Sequence, residues 1–146
     1  MHISSLLSLT RSMESAYSSI SQPILSRFGI SKTSFDILMF LANNPDHFTA
    51  NEISTMRNIK PNVVSLHVDK LVQDGYLERQ HVKGDRRKIR LICTEKASVI
   101  IEEGHAVQRS FISSLMTGLS EEDLQNFLHF IHVVTENVTA LQDKNK

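Results

Sequence analysis

The chain has no tryptophan, one cysteine, three prolines and five glycines in 146 residues. A single cysteine excludes an internal disulfide framework and fits a cytoplasmic protein, where thiols stay reduced. So few glycines give no glycine-rich phosphate loop, and no nucleophile-elbow pattern occurs, so neither a cofactor nor catalysis is expected. No apolar run approaches the roughly 18–20 residues of a membrane span. The first residues lack the basic start and continuous apolar stretch of a signal peptide, so none is expected. Net charge is also absent, because 16 Lys and Arg balance 16 Asp and Glu.

The charge that cancels overall is segregated along the chain. Residues 57–96 carry ten basic and five acidic side chains, while residues 1–56 and 97–146 are each net acidic. The sharpest concentration is "KGDRRKIRLICT" (83–94), with five cations and one acid, ending in alternating apolar and polar residues. Distribution matters more than the sum for a phosphate-binding face, so the centre of the chain is where such a face is expected. Hydrophobic residues at 40% are ample for a globular core.

The apolar spacing predicts six helices and one hairpin. A first helix over about 3–28 is expected to be interrupted near Pro23, with Gly29 as its stop. Ser31 caps a second helix carrying Phe35, Leu38, Met39 and Ala42 on one face. "TANE" (49–52) reads as a capping box opening a short third helix with Ile53 and Met56 inward. Pro61 suits the first position of a fourth helix, with Val64, Val68, Leu71 and Val72 as its core stripe and Gly75 as its end. "YLERQ" (76–80) and "KIRLIC" (88–93) read as strands about a turn at 81–87, with Ile89, Leu91 and Cys93 facing inward. Thr94 is expected to cap a fifth helix, and Ser120 with Asp123 a sixth. The last helix carries Leu124, Phe127, Leu128, Ile131, Val134, Val138 and Leu141 as an apolar stripe. The tail "QDKNK" is expected to fray. The fold class is mainly α with a small β-hairpin (α+β).

Two helices joined by a short turn and followed by a hairpin with a cationic tip make a winged helix-turn-helix. A helix fits the DNA major groove, and a basic tip beside it suits the minor groove, whose negative potential attracts arginine. At this level the segment "TANEISTMRNIKPNVVSLHVDKLVQDGYLERQHVKGDRRKIRLICTEKA" (49–97) resembles the core of the MarR family of bacterial transcription regulators. "VDKLVQDGYLER" (68–79), "DRR" (85–87) and "LICTEKA" (91–97) carry the resemblance, and the flanking helices match the family layout.

The resemblance implies residue roles. The family's Asp-x-Arg maps to Asp85 and Arg87, so Arg87 would enter the minor groove with Asp85 orienting it through an ion pair. Arg86 and Lys83 would add phosphate contacts. On the fourth helix, Asn62, Val63, Ser65 and Leu66 would face base edges or backbone, with Lys60 and Lys70 on phosphates. Many relatives have arginine where this chain has Leu66, which leaves few hydrogen-bonding readers. The family is a homodimer built from its terminal helices. That implies a helical dimerisation lobe at 1–30 and 98–146, a DNA-binding lobe at 31–97, and an operator with half-sites roughly 10 base pairs apart. It also implies a small-molecule effector between the lobes, for which Met13, Tyr17, Phe35 and Met39 are the candidates. Ordinary core packing is the competing reading for those four.

Other constellations carry less. His129, His132 and Glu136 share a face of the last helix, but a polar face needs polar residues in any case, and no metal is expected. His67 and His105 read as isolated residues. Cys93 at a strand end reads as a buried structural thiol. The expected function is that of a DNA-binding transcription regulator, a repressor more often than an activator. The alternative is a winged-helix adaptor whose fourth helix is covered by a protein partner, and the clustered cations favour the former.

Overall fold

The computed structural model describes residues 2–144, without the side chain of Arg86. Its elements are α1 (Ile3–Phe28), α2 (Lys32–Asn43), α3 (Ala50–Arg57), α4 (Pro61–Gln73), β1 (Leu77–Val82), β2 (Asp85–Cys93), α5 (Glu95–Leu115) and α6 (Glu121–Asp143). Residues up to Arg109 form one compact unit and those from Ser110 onward a second. No helix among the described residues is long and apolar enough to cross a membrane.

In the first unit, α2 supplies the centre of the core. Its residues Phe35, Ile37 and Leu38 are wholly buried against Ile53 of α3, Val64 and Leu71 of α4, Leu77 of β1 and Ile100 of α5. Gly104 lets α5 come close to α2. A β-carbon there would sit 2.4 Å from the Met39 sulfur and 3.1 Å from the Phe35 ring. Ser31 caps α2 by accepting the Ser34 N–H. Thr49 and Glu52 close the expected capping box on α3, which ends in a left-handed Asn58 (φ 51°). That residue starts the tight turn into α4, and the Ser54 hydroxyl donates to the Ile59 carbonyl across it at 2.7 Å. Asparagine takes this conformation more readily than most residues.

Several expectations need correction. Helix α1 is continuous through Pro23. Proline cannot donate to the carbonyl one turn back, which costs about 3 kcal/mol in a helix interior. Yet Ser21, Ile24 and Leu25 on either side of it are buried, and that packing holds the helix together. Met56 is half exposed rather than inward, because α3 ends one residue later and only Ile53 reaches the core. The hairpin strands are longer and the turn shorter than expected, with Lys83 and Gly84 alone between them. Ile89 lies beyond the core and is exposed, so the inward set is Leu91 with half-buried Cys93. The Thr94 hydroxyl donates to the Gly75 carbonyl at 2.7 Å, tying the end of the hairpin to the end of α4 rather than capping α5.

In the second unit, Ser120 and Asp123 form the expected capping box. Hydrogen bonds from the Ser120 hydroxyl and N–H hold the Asp123 carboxyl below the usual range. The stripe on α6 is exposed in the single chain, with Leu128, Phe130 and Ile131 each more than half accessible. Gln142 and Asp143 of the tail are helical or at the helix end, and the last two residues lie outside the described ones.

Candidate nucleic-acid interface

The hairpin is antiparallel, with Leu77 opposite Cys93 and His81 opposite Ile89, and an irregularity between His81 and Val82 near the tip. Gly84 supplies the left-handed position the turn needs, at φ 91°. Asp85 meets Arg87 through the backbone, its Oδ1 accepting the Arg87 N–H at 3.0 Å, where the resemblance implied an ion pair between side chains. Asp85 thus shapes the chain at the tip. Arg87 and Lys83 are exposed. Arg86 sits on β2, and its side chain lies outside the described residues.

Two contacts fix the hairpin against the helices. Arg79 of β1 is ion-paired to Asp69 of α4. The N–H of Leu91 donates to the Phe48 carbonyl at 2.8 Å, pinning β2 to the loop before α3. Over the same Phe48 ring stand the Lys88 ammonium at 4.9 Å and the Arg90 guanidinium at 4.7 Å. A ring face attracts cations and so holds two like charges near one point. The Arg79, Phe48, Lys88 and Arg90 contacts escaped sequence reasoning. The alternation of β2 indicated only that Lys88 and Arg90 share a face.

On α4, Val64, Val68 and Leu71 are buried, which turns Asn62 and Leu66 outward. Lys60, Asn62 and Ser65 are exposed and Val63 is half buried. Lys70 is exposed but pairs with Asp74 at 3.1 Å, so its ammonium is shared between that carboxylate and any phosphate. His67 is not isolated, since its Nδ1 lies 3.0 Å from the Ser34 hydroxyl and 3.2 Å from that of Ser31. Those hydroxyls sit at the start of α2, so the outward helix is anchored there. The Glu52 carboxylate is pulled down to about 2, chiefly by the Thr49 hydroxyl and further by backbone N–H groups, which outweigh the opposing effect of burial.

Between α3, α4 and the hairpin runs an open groove of about 610 Å³. Ser65, Asp69, Arg79, Asp85, Arg87 and Lys88 stand on its walls with Thr49 and Asn51. The outward helix and the cationic hairpin therefore flank one surface. Residues 28–88 match the model of the MarR family. Over that stretch this chain is similar to the MarR family. It is 28% identical over 116 residues to the HTH-type transcriptional repressor YetL of Bacillus subtilis, covering 79% of this chain and 70% of that one. Its fold is that of a MarR protein from Peptoclostridium difficile, with a TM-score of 0.81 and 21% identity over 100% of this chain and 95% of the other. It is also that of MepR in the S. aureus MepR–DNA complex, with a TM-score of 0.74 and 17% identity over 94% and 96%. The fold is a winged helix-turn-helix with flanking helices.

Of the four residues expected to line an effector site, Tyr17 and Met39 border one cleft. Phe35 and Met39 are core residues packed on Gly104. Met39 also borders a cleft of about 130 Å³ shared with Tyr17, Asp36, Asn43 and Gln108, while Met13 and Phe35 are not on its wall. Within it Gln108 donates to the Tyr17 hydroxyl at 3.1 Å and accepts from Asn43 at 3.1 Å, and His105 joins Asn43 at 2.9 Å. Cys93 is half buried, and desolvation raises its thiol to about 11.

Proposed function

We propose that this chain is a MarR-type transcriptional repressor that binds a near-palindromic DNA operator as a homodimer in the cytoplasm, and that it is not an enzyme. The observation that carries the reading is the common surface made by the outward face of α4 and the cationic hairpin, with Arg87 and Lys88 on the shared groove. The likeness to a named repressor and to a relative solved with DNA supports it. In this reading Arg87 enters the minor groove, Asn62, Val63, Ser65 and Leu66 face bases in the major groove, and Lys60, Lys70, Lys83 and Arg86 lie on phosphates.

The dimer is supported by apolar side chains that one copy leaves uncovered. Ile3, Leu7 and Leu9 of α1 are exposed, as are Leu128, Phe130 and Ile131 of α6. Residues 1–30 and 98–146 then serve as the dimerisation lobe and 31–97 as the DNA-binding lobe. A small-molecule effector would act by fitting one spacing of the lobes better than the other. The cleft at Tyr17 and Met39 is its entry point, and at about 130 Å³ it must widen to take a drug-sized ligand, which fills roughly 300 Å³ or more.

The test is binding of duplex DNA from upstream of the chain's own gene, followed by fluorescence anisotropy at several salt concentrations. A complex whose affinity falls steeply with salt is expected, since each neutralised phosphate releases counterions. Arg87→Ala should weaken it strongly while leaving the oligomeric state unchanged. Equal binding by the two proteins would remove the hairpin from the interface.

A further inference from the structure

Leu66 is 67% exposed in the middle of the helix assigned to the major groove. Exposure alone decides nothing, because single exposed leucines are common. Its position does carry information. At 100° per residue, Leu66 stands about 200° around the axis from Val64, almost opposite the buried stripe. Asn62, one turn earlier, shares that outward line. The neighbours on either side are engaged, Asp69 with Arg79 and Lys70 with Asp74. The centre of the reading face is therefore one carboxamide and one apolar side chain, and cations stand only around it.

That chemistry selects among base pairs. Guanine is read in the major groove by a cationic donor to O6 and N7, and none of Asn62, Val63, Ser65 and Leu66 carries one. A carboxamide matches the donor and acceptor on adenine. The one apolar feature on any major-groove edge is the thymine methyl. Asn62 and Leu66 are four residues apart, or about 6 Å along the axis, which is nearly two base-pair steps of 3.4 Å.

We propose that Leu66 is a specificity-determining residue that reads a thymine methyl, about two base-pair steps from an adenine read by Asn62, so that the operator half-sites are rich in A·T pairs. This rests on the DNA-binding reading above. A protein partner seated on Leu66 would be a different occupant, and the cations flanking the face argue for a polyanion.

The experiment uses the full-length protein and the duplex it enriches from a random-sequence pool. Thymines in each half-site are replaced singly by deoxyuridine, which removes the methyl and keeps every hydrogen-bonding group. At one position, wild type should lose on the order of fourfold in affinity per methyl removed, the value of one buried CH₂ group. Leu66→Ala should bind the thymine and uridine duplexes equally, which closes a double-mutant cycle. Indifference of the wild type to every replacement overturns the inference, and so does an equal loss in both proteins, which would mark an effect of DNA shape. Enrichment of G·C-rich half-sites also overturns it. Each of those results leaves DNA binding standing. If wild type enriches no duplex at all, the DNA-binding reading falls and this inference with it.

Discussion

Arg79 on the first hairpin strand is ion-paired to Asp69 on the outward helix. The pair bridges the two elements that flank the groove, and it is the only side-chain ion pair recorded between them among the described residues. Both partners are more than a third exposed, so its contribution to stability is small, about 0–1 kcal/mol. Its effect falls on orientation instead. Arg79→Ala should leave the thermal midpoint nearly unchanged and weaken operator binding several-fold. The double variant with the two charges exchanged should recover part of the loss. Calorimetry and anisotropy on the same samples separate the two effects, and a large fall in midpoint with unchanged DNA affinity would contradict the assignment.

Phe48 should matter more than its place in a loop suggests. Lys88 and Arg90 both stand over its ring, and its carbonyl accepts the Leu91 N–H. Phe48→Leu keeps the carbonyl and an apolar side chain but removes the ring face. Each cation–π contact at an exposed site contributes about 0.5–1 kcal/mol, so a loss of about 1–2 kcal/mol in chemical denaturation is expected. Faster amide exchange along β2 should accompany it.

Glu52 links acid stability to the start of α3. Its carboxylate is held at about 2 against an ordinary 4.5. A depressed value means the folded state favours the charged form. The stabilisation is complete above about 4.5 and is lost as pH falls from there towards 2. Glu52→Gln should therefore be less stable near neutrality and show a shallower decline of stability across that window. Identical acid profiles for the two proteins would refute this.

Cys93 should be unreactive in the folded chain. Burial raises its thiol to about 11 from 9.0, so the thiolate fraction near pH 8 is about a hundredfold below that of a free thiol. Alkylation by iodoacetamide should be slower by at least that factor than in denaturant. Rapid native-state labelling would contradict this shielding of the thiol.

The uncovered apolar side chains of α6 should drive association. Light scattering should report about twice the 16.6 kDa of one chain. Ile131→Glu places a charge among Leu128, Val134 and Phe130, which are all exposed in the single chain. It should raise the dimer dissociation constant by orders of magnitude and weaken operator binding in proportion.

Local chemistry settled much of this molecule in advance. The capping boxes at Thr49 and Ser120, the proline at the head of α4 and the glycine in the hairpin turn are signals carried within four or five residues, where backbone donors find nearby acceptors. The apolar stripe of α4 and the cations of 83–90 follow from periodicity and composition alone. What those signals could not give is anything that depends on residues meeting across sequence distance. The continuity of α1 through Pro23 rests on burial against other helices, and the exposure of Met56 and Ile89 on where the core stops. The hold of Phe48 on Lys88 and Arg90 joins residues some forty positions apart, and Asp69 meets Arg79 because the hairpin folds back over α4. Propensity acts along the chain, whereas packing and charge act through space, so the helices could be read from the sequence and the groove between them could not.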